Sequence, residues 1–149
     1  MCEVLHDLVI GFSSGILSSY VISKYFACKE ARKAKEQGFK DDIQTYHRWI
    51  LRIRNELEIS RRIGDFSSFY RVIEEEPVLH YFENLSEQSI HSKREATQYI
   101  RSLREKYSQP SFDEAQFKRD MGMLFKYSVD SLRYTNTTNR NKGRSKPKT

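Results

Sequence analysis

The sequence predicts an all-α protein with an N-terminal single transmembrane helix, a small cytoplasmic helical bundle and a disordered basic tail. Three observations lead to this prediction. A charge-free apolar run lies near the start of the chain, later apolar residues recur at helical spacing, and no strand-like alternation occurs between turn residues. The length of 149 residues is about one domain of chain and excludes a multi-domain enzyme.

The apolar run predicts a transmembrane helix over residues 8–28. Residues 8–23 carry no charge, and a helix continued to Cys28 would span about 30 Å. Tyr20, Tyr25 and Phe26 stand where aromatic residues meet a membrane interface, and Lys24 can extend towards water. The strongly apolar residues supply only roughly 2–5 kcal/mol of insertion free energy, which the serines and glycines reduce, so the span is marginal.

Three other assignments compete for this run. A secretory signal peptide would need a basic start and a cleavage site, whereas this chain begins with Glu3 and Asp7. A helix lying in the membrane plane would need a strongly charged face, and here the polar residues are serines and glycines. A buried core helix of a soluble protein stays open as an alternative.

Small residues recur every fourth position along the run, at Gly11, Gly15, Ser19 and Ser23. Such a stripe lets two helix backbones approach closely within lipid. We therefore expect this face to pack against a second copy of the chain or against the helix of a partner protein.

Basic residues follow the run and none precedes it, which predicts an outer head (1–7) and a cytoplasmic remainder. Residues 29–38 are predicted to be a polar stalk and residues 135–149 a disordered basic tail. We expect the cations of both basic segments to contact anionic membrane lipids. These are Lys24, Lys29, Arg32, Lys33, Lys35, Arg140, Lys142, Arg144, Lys146 and Lys148.

The positive net charge of +6 comes from the two basic segments, since residues 41–134 hold 15 basic and 16 acidic residues. The body therefore offers no excess positive charge to a polyanion. Nucleic acid is not an expected partner, except nonspecifically through the tail.

Residues 39–134 are predicted to fold as a bundle of three longer helices with a kinked connector. The apolar residues step by three and four positions, which marks one buried face on each helix. The predicted bundle core comprises Phe39, Ile43, Tyr46, Ile50, Ile53, Leu57, Ile100, Leu103, Phe117, Met121, Leu124 and Leu132.

Local signals set the helix limits in this body. Gly64 ends the first helix, a short helix runs from Phe66 to Ile73, and Pro77 opens another that carries Val78, Leu79, Phe82 and Leu85. Asn84 with Glu87 resembles a capping box that opens a helix to Tyr107, and Ser111 with Glu114 forms the clearest one.

No catalytic motif, phosphate-binding loop or CxxC metal site occurs in the sequence, and the two cysteines cannot form a disulfide framework. The carboxylate–imidazole pairs Glu76/His80 and Glu87/His91 are interpreted as surface pairs, and Glu74–Glu76 as a solvated helix end. We expect neither enzymatic activity nor a cofactor or metal.

The leading hypothesis is a membrane-anchored, non-catalytic protein that mediates protein–protein interaction or assembly at the cytoplasmic membrane face. One alternative is a membrane-perturbing effector or toxin-like protein that oligomerises through its Gly/Ser-rich span. Another is a soluble RNA-associated helical protein that uses the basic tail.

Overall fold

The computed structural model describes the backbone of residues 2–108 and 113–135, and the side chains of residues 18–108 and 113–135. The four helices are Cys2–Ile63 (α1), Ser67–Glu74 (α2), Glu87–Tyr107 (α3) and Glu114–Ser131 (α4), and a 3₁₀ turn covers Phe82–Asn84. No strand occurs over these described ranges, so the predicted all-α class and helical bundle are confirmed.

The chain forms two compact units, which divide between Gly38 and Phe39. In the first unit, α1 continues without interruption through the predicted head, span and stalk. No proline breaks this stretch, and Gly38 is itself helical. Within the part of the chain that the structure describes, no helix is both long enough and apolar enough to cross a membrane.

The second unit packs α4 antiparallel to both α1 and α3. On the α1 side, His47 Nδ1 lies 2.7 Å from the Ser128 carbonyl oxygen, and Arg61 lies at the opposite end of α4, 2.5 Å from Glu114. On the α3 side, the Tyr99 and Tyr127 rings are 5.5 Å apart, and Tyr107 reaches Asp120. Along both α1 and α3, residues with higher numbers contact residues of α4 with lower numbers, which is the antiparallel arrangement.

Two aromatic residues of the core, Trp49 and Tyr46, hydrogen-bond to neighbouring helices. Trp49 on α1 donates its indole N–H to the Val72 carbonyl at 2.8 Å. The Tyr46 hydroxyl lies 3.0 Å from the Thr97 hydroxyl, and burial raises the pKa of Tyr46. These two bonds connect α2 and α3 to α1 and satisfy the buried polar atoms of Trp49 and Tyr46.

Most of the predicted bundle core is buried, but Leu132 is not. Ile43 and Met121 are partly buried against the core cluster, whereas Leu132 is 50% exposed. The prediction for Leu132 is wrong because the buried face of α4 continues from Ser128 to Ser131, and Leu132 lies about 100° further around the helix. The buried residues are Phe39, Tyr46, Ile50, Ile53, Leu57, Ile100, Leu103, Phe117 and Leu124.

The connector between α2 and α3 differs from the prediction. Gly64 ends α1 as expected, with a φ of 80°, and α2 covers nearly the predicted short helix. The further helix predicted after Pro77 is wrong, since only the 3₁₀ turn forms there. Contacts with the other helices hold this segment instead, including the Tyr81 N–H that donates to Asp42 at 2.6 Å.

Both predicted helix caps are displaced. Ser86, not Asn84, caps α3, and its side chain accepts the Ser89 N–H. Asp113 caps α4 by accepting the Ala115 N–H at 2.9 Å, while Ser111 lies outside the described residues. In each case an oxygen-bearing side chain closer to the helix reaches its free N–H groups.

The predicted tail starts one residue too early. Thr135 is fixed to the start of α3, since its N–H donates to the Ser89 hydroxyl at 2.9 Å and its carbonyl accepts the Ser86 N–H at 2.8 Å. Residues 136–149, with the five tail cations, lie outside the described residues.

Candidate functional site

The candidate site is the aromatic–basic segment, residues 20–35 of α1. Its large apolar side chains are exposed, from 54% at Ile22 and Phe26 to 64% at Tyr25. Transferring an exposed Val, Ile or Phe side chain out of water is worth about 1.5–3 kcal/mol. Burying this segment in lipid or against another molecule would therefore be favourable by several such contributions.

The apolar residues do not form a single stripe. Tyr20, Val21 and Ile22 are consecutive, and Tyr25 and Phe26 follow one turn later. Because successive helical residues differ by about 100°, these side chains cover more than half of the helix circumference. A helix that docks in a protein groove needs one apolar face, whereas apolar side chains around most of a helix suit a lipid environment.

Basic residues accompany the apolar ones towards the end of the segment. Lys24 Nζ lies 5.3 Å from the centre of the Tyr20 ring, which is a cation–π contact. The predicted lipid-contacting residues Lys24, Lys29, Arg32, Lys33 and Lys35 are all exposed. Their charge is thus available to an anionic surface.

The predicted helix-packing stripe is described only in part. Ser19 and Ser23 are exposed on α1, whereas Gly11 and Gly15 lie outside the residues whose side chains are described. The role of this stripe in helix packing stays a prediction.

A second polar site, missed by the sequence analysis, surrounds Asp120 in the bundle. This carboxylate is fully buried between α3 and α4. Its Oδ1 accepts from the Tyr99 hydroxyl at 2.5 Å, Lys106 Nζ at 2.9 Å and Gln116 Nε2 at 2.9 Å, and its Oδ2 accepts from the Tyr107 hydroxyl at 2.8 Å. Four donors therefore replace the water that the carboxylate loses.

These contacts fix the charge states of the cluster. Burial opposes ionisation of Asp120, but hydrogen bonds from Tyr99, Lys106, Tyr107 and Gln116 outweigh it and lower the pKa of Asp120. Burial and the hydrogen bonds to Asp120 raise the pKa of both tyrosines. The cluster holds an ionised acceptor among protonated donors, an arrangement that stabilises the packing of α3 on α4.

The acidic run after α2 is paired across helices. Glu74 lies 2.7 Å from Arg104, Glu75 lies 2.7 Å from Arg52, and Glu76 lies 2.8 Å from Arg101. The interpretation as a solvated helix end is incomplete, because these pairs attach the connector to α1 and α3.

The carboxylate–imidazole pairs picked from the sequence do not come together. Glu76 pairs with Arg101 and not with His80. His91 Nε2 lies 3.3 Å from Glu95, and its pair is therefore Glu95 and not Glu87. Over the described ranges, no group of three His, Cys, Asp or Glu residues could hold a metal ion.

Comparison with models of protein families, with curated proteins and with solved structures gives no match to this chain. Its function is therefore inferred from its own residues.

Proposed function

We propose that this chain is a membrane-anchored, non-catalytic helical protein whose domain, residues 39–134, mediates protein–protein interaction or assembly at the cytoplasmic membrane face. The N-terminal run over residues 8–28 is the anchor, and the cations that follow it stay on the cytoplasmic side. The function is tethering, in which the membrane concentrates a folded bundle at one surface.

The exposure of the apolar side chains of the aromatic–basic segment carries this proposal. The large apolar side chains of this segment are 54–64% exposed, so transfer into lipid would remove their apolar surface from water. The distribution of Tyr20, Val21 and Ile22 around the helix favours lipid over a single protein groove.

The basic residues give the proposed anchor its direction. Five exposed cations follow or end the apolar run, and each contributes about 1 kcal/mol near an anionic surface. Since the apolar residues alone supply only roughly 2–5 kcal/mol, this electrostatic contribution is comparable with the insertion free energy itself.

Alkaline carbonate extraction of membranes, combined with protease accessibility, tests the proposal. We expect the chain to stay in the membrane pellet, with residues 39–134 digested only after the cytoplasmic side is opened. Val21→Asp should release a large fraction of the chain, because a carboxylate within a span costs about 2.5–3.5 kcal/mol at its centre and less towards its ends.

Val78→Asp is the matched control, since Val78 is 79% exposed and lies in the connector. It should leave membrane retention unchanged. Complete release of the unmodified chain by carbonate would contradict the anchor, as would equal retention of the Val21→Asp and unmodified chains.

A further inference from the structure

A second apolar stripe lies on the outer face of α4, beside the helix's buried face. Phe125 is 55% exposed, Leu132 just after the helix is 50% exposed, and Val129 between them is partly exposed. Gly122 continues the stripe one turn before Phe125, so its members step by three and four positions. The stripe adjoins α1, where the Arg54 guanidinium lies 5.8 Å from the centre of the Phe125 ring.

Gly122 has no role within the chain that requires a glycine. It lies inside α4 with a negative φ, and a Cβ built on it meets no atom within 4 Å. Glycine in a helix interior destabilises the fold by roughly 0.5–1 kcal/mol relative to alanine. Because Gly122 has no side chain, the backbone of a second helix can approach α4 closely at this position.

Arg54 is a cation beside this stripe, and among the described residues it forms no ion pair with an acidic side chain. Its buried Nε has no hydrogen-bond partner in the described part of the chain. Other arginines of the bundle, such as Arg52, Arg61 and Arg104, each pair with a glutamate. The Arg54 guanidinium places a positive charge beside the Phe125 ring, which favours a carboxylate on a partner bound to this stripe.

Exposed cations flank the stripe as well. Lys118, Lys126 and Arg133 lie on the outer side of α4, and the described ion pairs include none of them. The nearby acidic residue Glu58 is already held by Arg62 at 2.6 Å. The surface is therefore an apolar stripe with a basic border.

We propose that this face of α4, with the adjoining side of α1, binds an amphipathic helix of a partner protein whose apolar residues are flanked by Asp or Glu. The apolar side chains of that helix would pack on Phe125 and Val129 across Gly122, and one carboxylate would accept from Arg54. The inference rests on the proposed function, since it names the face and the partner chemistry that serve assembly.

A second copy of the chain fits this face less well. An isologous contact would bring the border of lysines and arginine of one α4 against the same border of its partner, and like charges across an interface oppose association. A helix with acidic flanks removes that repulsion.

The test uses the full chain in detergent micelles and a fluorescent helical peptide with leucines at i, i+3, i+4 and i+7 and glutamates at the flanking positions. We expect the peptide to bind, and to bind at least about tenfold more weakly to Gly122→Gln and to Arg54→Gln. A peptide with lysine in place of every glutamate should bind at least about tenfold more weakly to the unmodified chain.

Ala115→Gln is the matched control for Gly122→Gln, because Ala115 is an exposed small residue on the same helix. It should leave peptide affinity unchanged, and thermal melts should show that all variants are folded. No binding, or equal binding to all variants, would overturn the proposal. A dimer of the free chain that Gly122→Gln dissociates would assign the face to a second copy and overturn it as well.

The two proposals fail separately. Peptide binding is measured in micelles, so its failure leaves carbonate retention untouched, and a chain released by carbonate can still bind the peptide.

Discussion

Asp120 shows how a single charged residue organises the interior of this bundle. A carboxylate without water is strongly unfavourable unless donors surround it, and here Tyr99, Lys106, Tyr107 and Gln116 fill that role. Because these donors come from both α3 and α4, the cluster specifies how the two helices align.

Asp120→Asn is expected to destabilise the fold by about 3 kcal/mol. The amide keeps one acceptor oxygen but replaces the other with an NH₂ donor, which at the Oδ2 position would face the Tyr107 hydroxyl. Chemical denaturation monitored by circular dichroism measures this change. Glu105→Gln, one residue from Lys106 and exposed, should change the free energy of unfolding by less than about 0.5 kcal/mol. A loss below about 1 kcal/mol for Asp120→Asn would show that the cluster is not the determinant described here.

The same cluster predicts a pH dependence. The pKa of Asp120 is lowered from its ordinary value of 3.8, so its contribution to stability is present above that value and is lost as pH falls through the folded-state pKa. The stability difference between the unmodified chain and Asp120→Asn should therefore be constant near neutral pH and shrink in acid below about pH 4. Denaturation curves recorded across this range check it, and a difference that grows on acidification would contradict it.

At the scale of elements, the start of α3 is held by one serine that also fixes the end of the domain. The Ser86 side chain accepts the Ser89 N–H, and its hydroxyl lies 3.0 Å from the Thr135 hydroxyl. Ser86 thus connects the first turn of α3 to the segment that follows α4.

Ser86→Ala should lower the free energy of unfolding by about 1 kcal/mol, because it removes the acceptor of a free helix N–H. Thermal unfolding provides the measurement. Ser68→Ala is the matched control, since Ser68 is an exposed serine in the first turn of α2, and it should change stability by less than about 0.5 kcal/mol. Equal effects of the two substitutions would rule out a capping role for Ser86.

Elements with a regular apolar repeat were predictable from the sequence. The apolar stripe of α1 from Phe39 to Leu57 packs in the core of the bundle. Its helical spacing places these residues on one face of a long, proline-free helix, and that face is the one that is buried. The helix caps were less predictable, since Asn84 and Ser86 both offer an oxygen near Glu87 and only the backbone geometry selects Ser86.

Elements held by distant residues could not be predicted in the same way. The connector after α2 has helix-forming residues, but Glu74, Glu75 and Glu76 each pair with an arginine of another helix. Asp120 belongs to no motif of the sequence, and no local pattern links it to Tyr99 or Lys106. The aromatic–basic segment could be located from the sequence, because its charge-free length and its flanking cations belong to one continuous stretch of chain.

At the scale of the whole molecule, the excess of basic residues lies outside the helical bundle. The basic excess lies in residues 24–40 and in the tail, while the bundle is nearly neutral over residues 41–134. In our proposal, the first unit supplies affinity for an anionic bilayer and the second offers a protein-binding surface. Each can then be altered without loss of the other.

The two cysteines provide the most direct test of the anchor, because Cys2 precedes the apolar run and Cys28 is its last residue. Cys28 is a free, exposed thiol. A membrane-impermeant maleimide applied to intact cells reads which end of the run faces outwards, with Cys2→Ser and Cys28→Ser separating the two signals.

We expect Cys2 to react in intact cells expressing Cys28→Ser, and Cys28 in Cys2→Ser to react only after the membrane is opened. Reaction of Cys28 in intact cells would contradict the proposed orientation, and protection of both thiols with recovery of the chain in the soluble fraction would contradict the anchor itself.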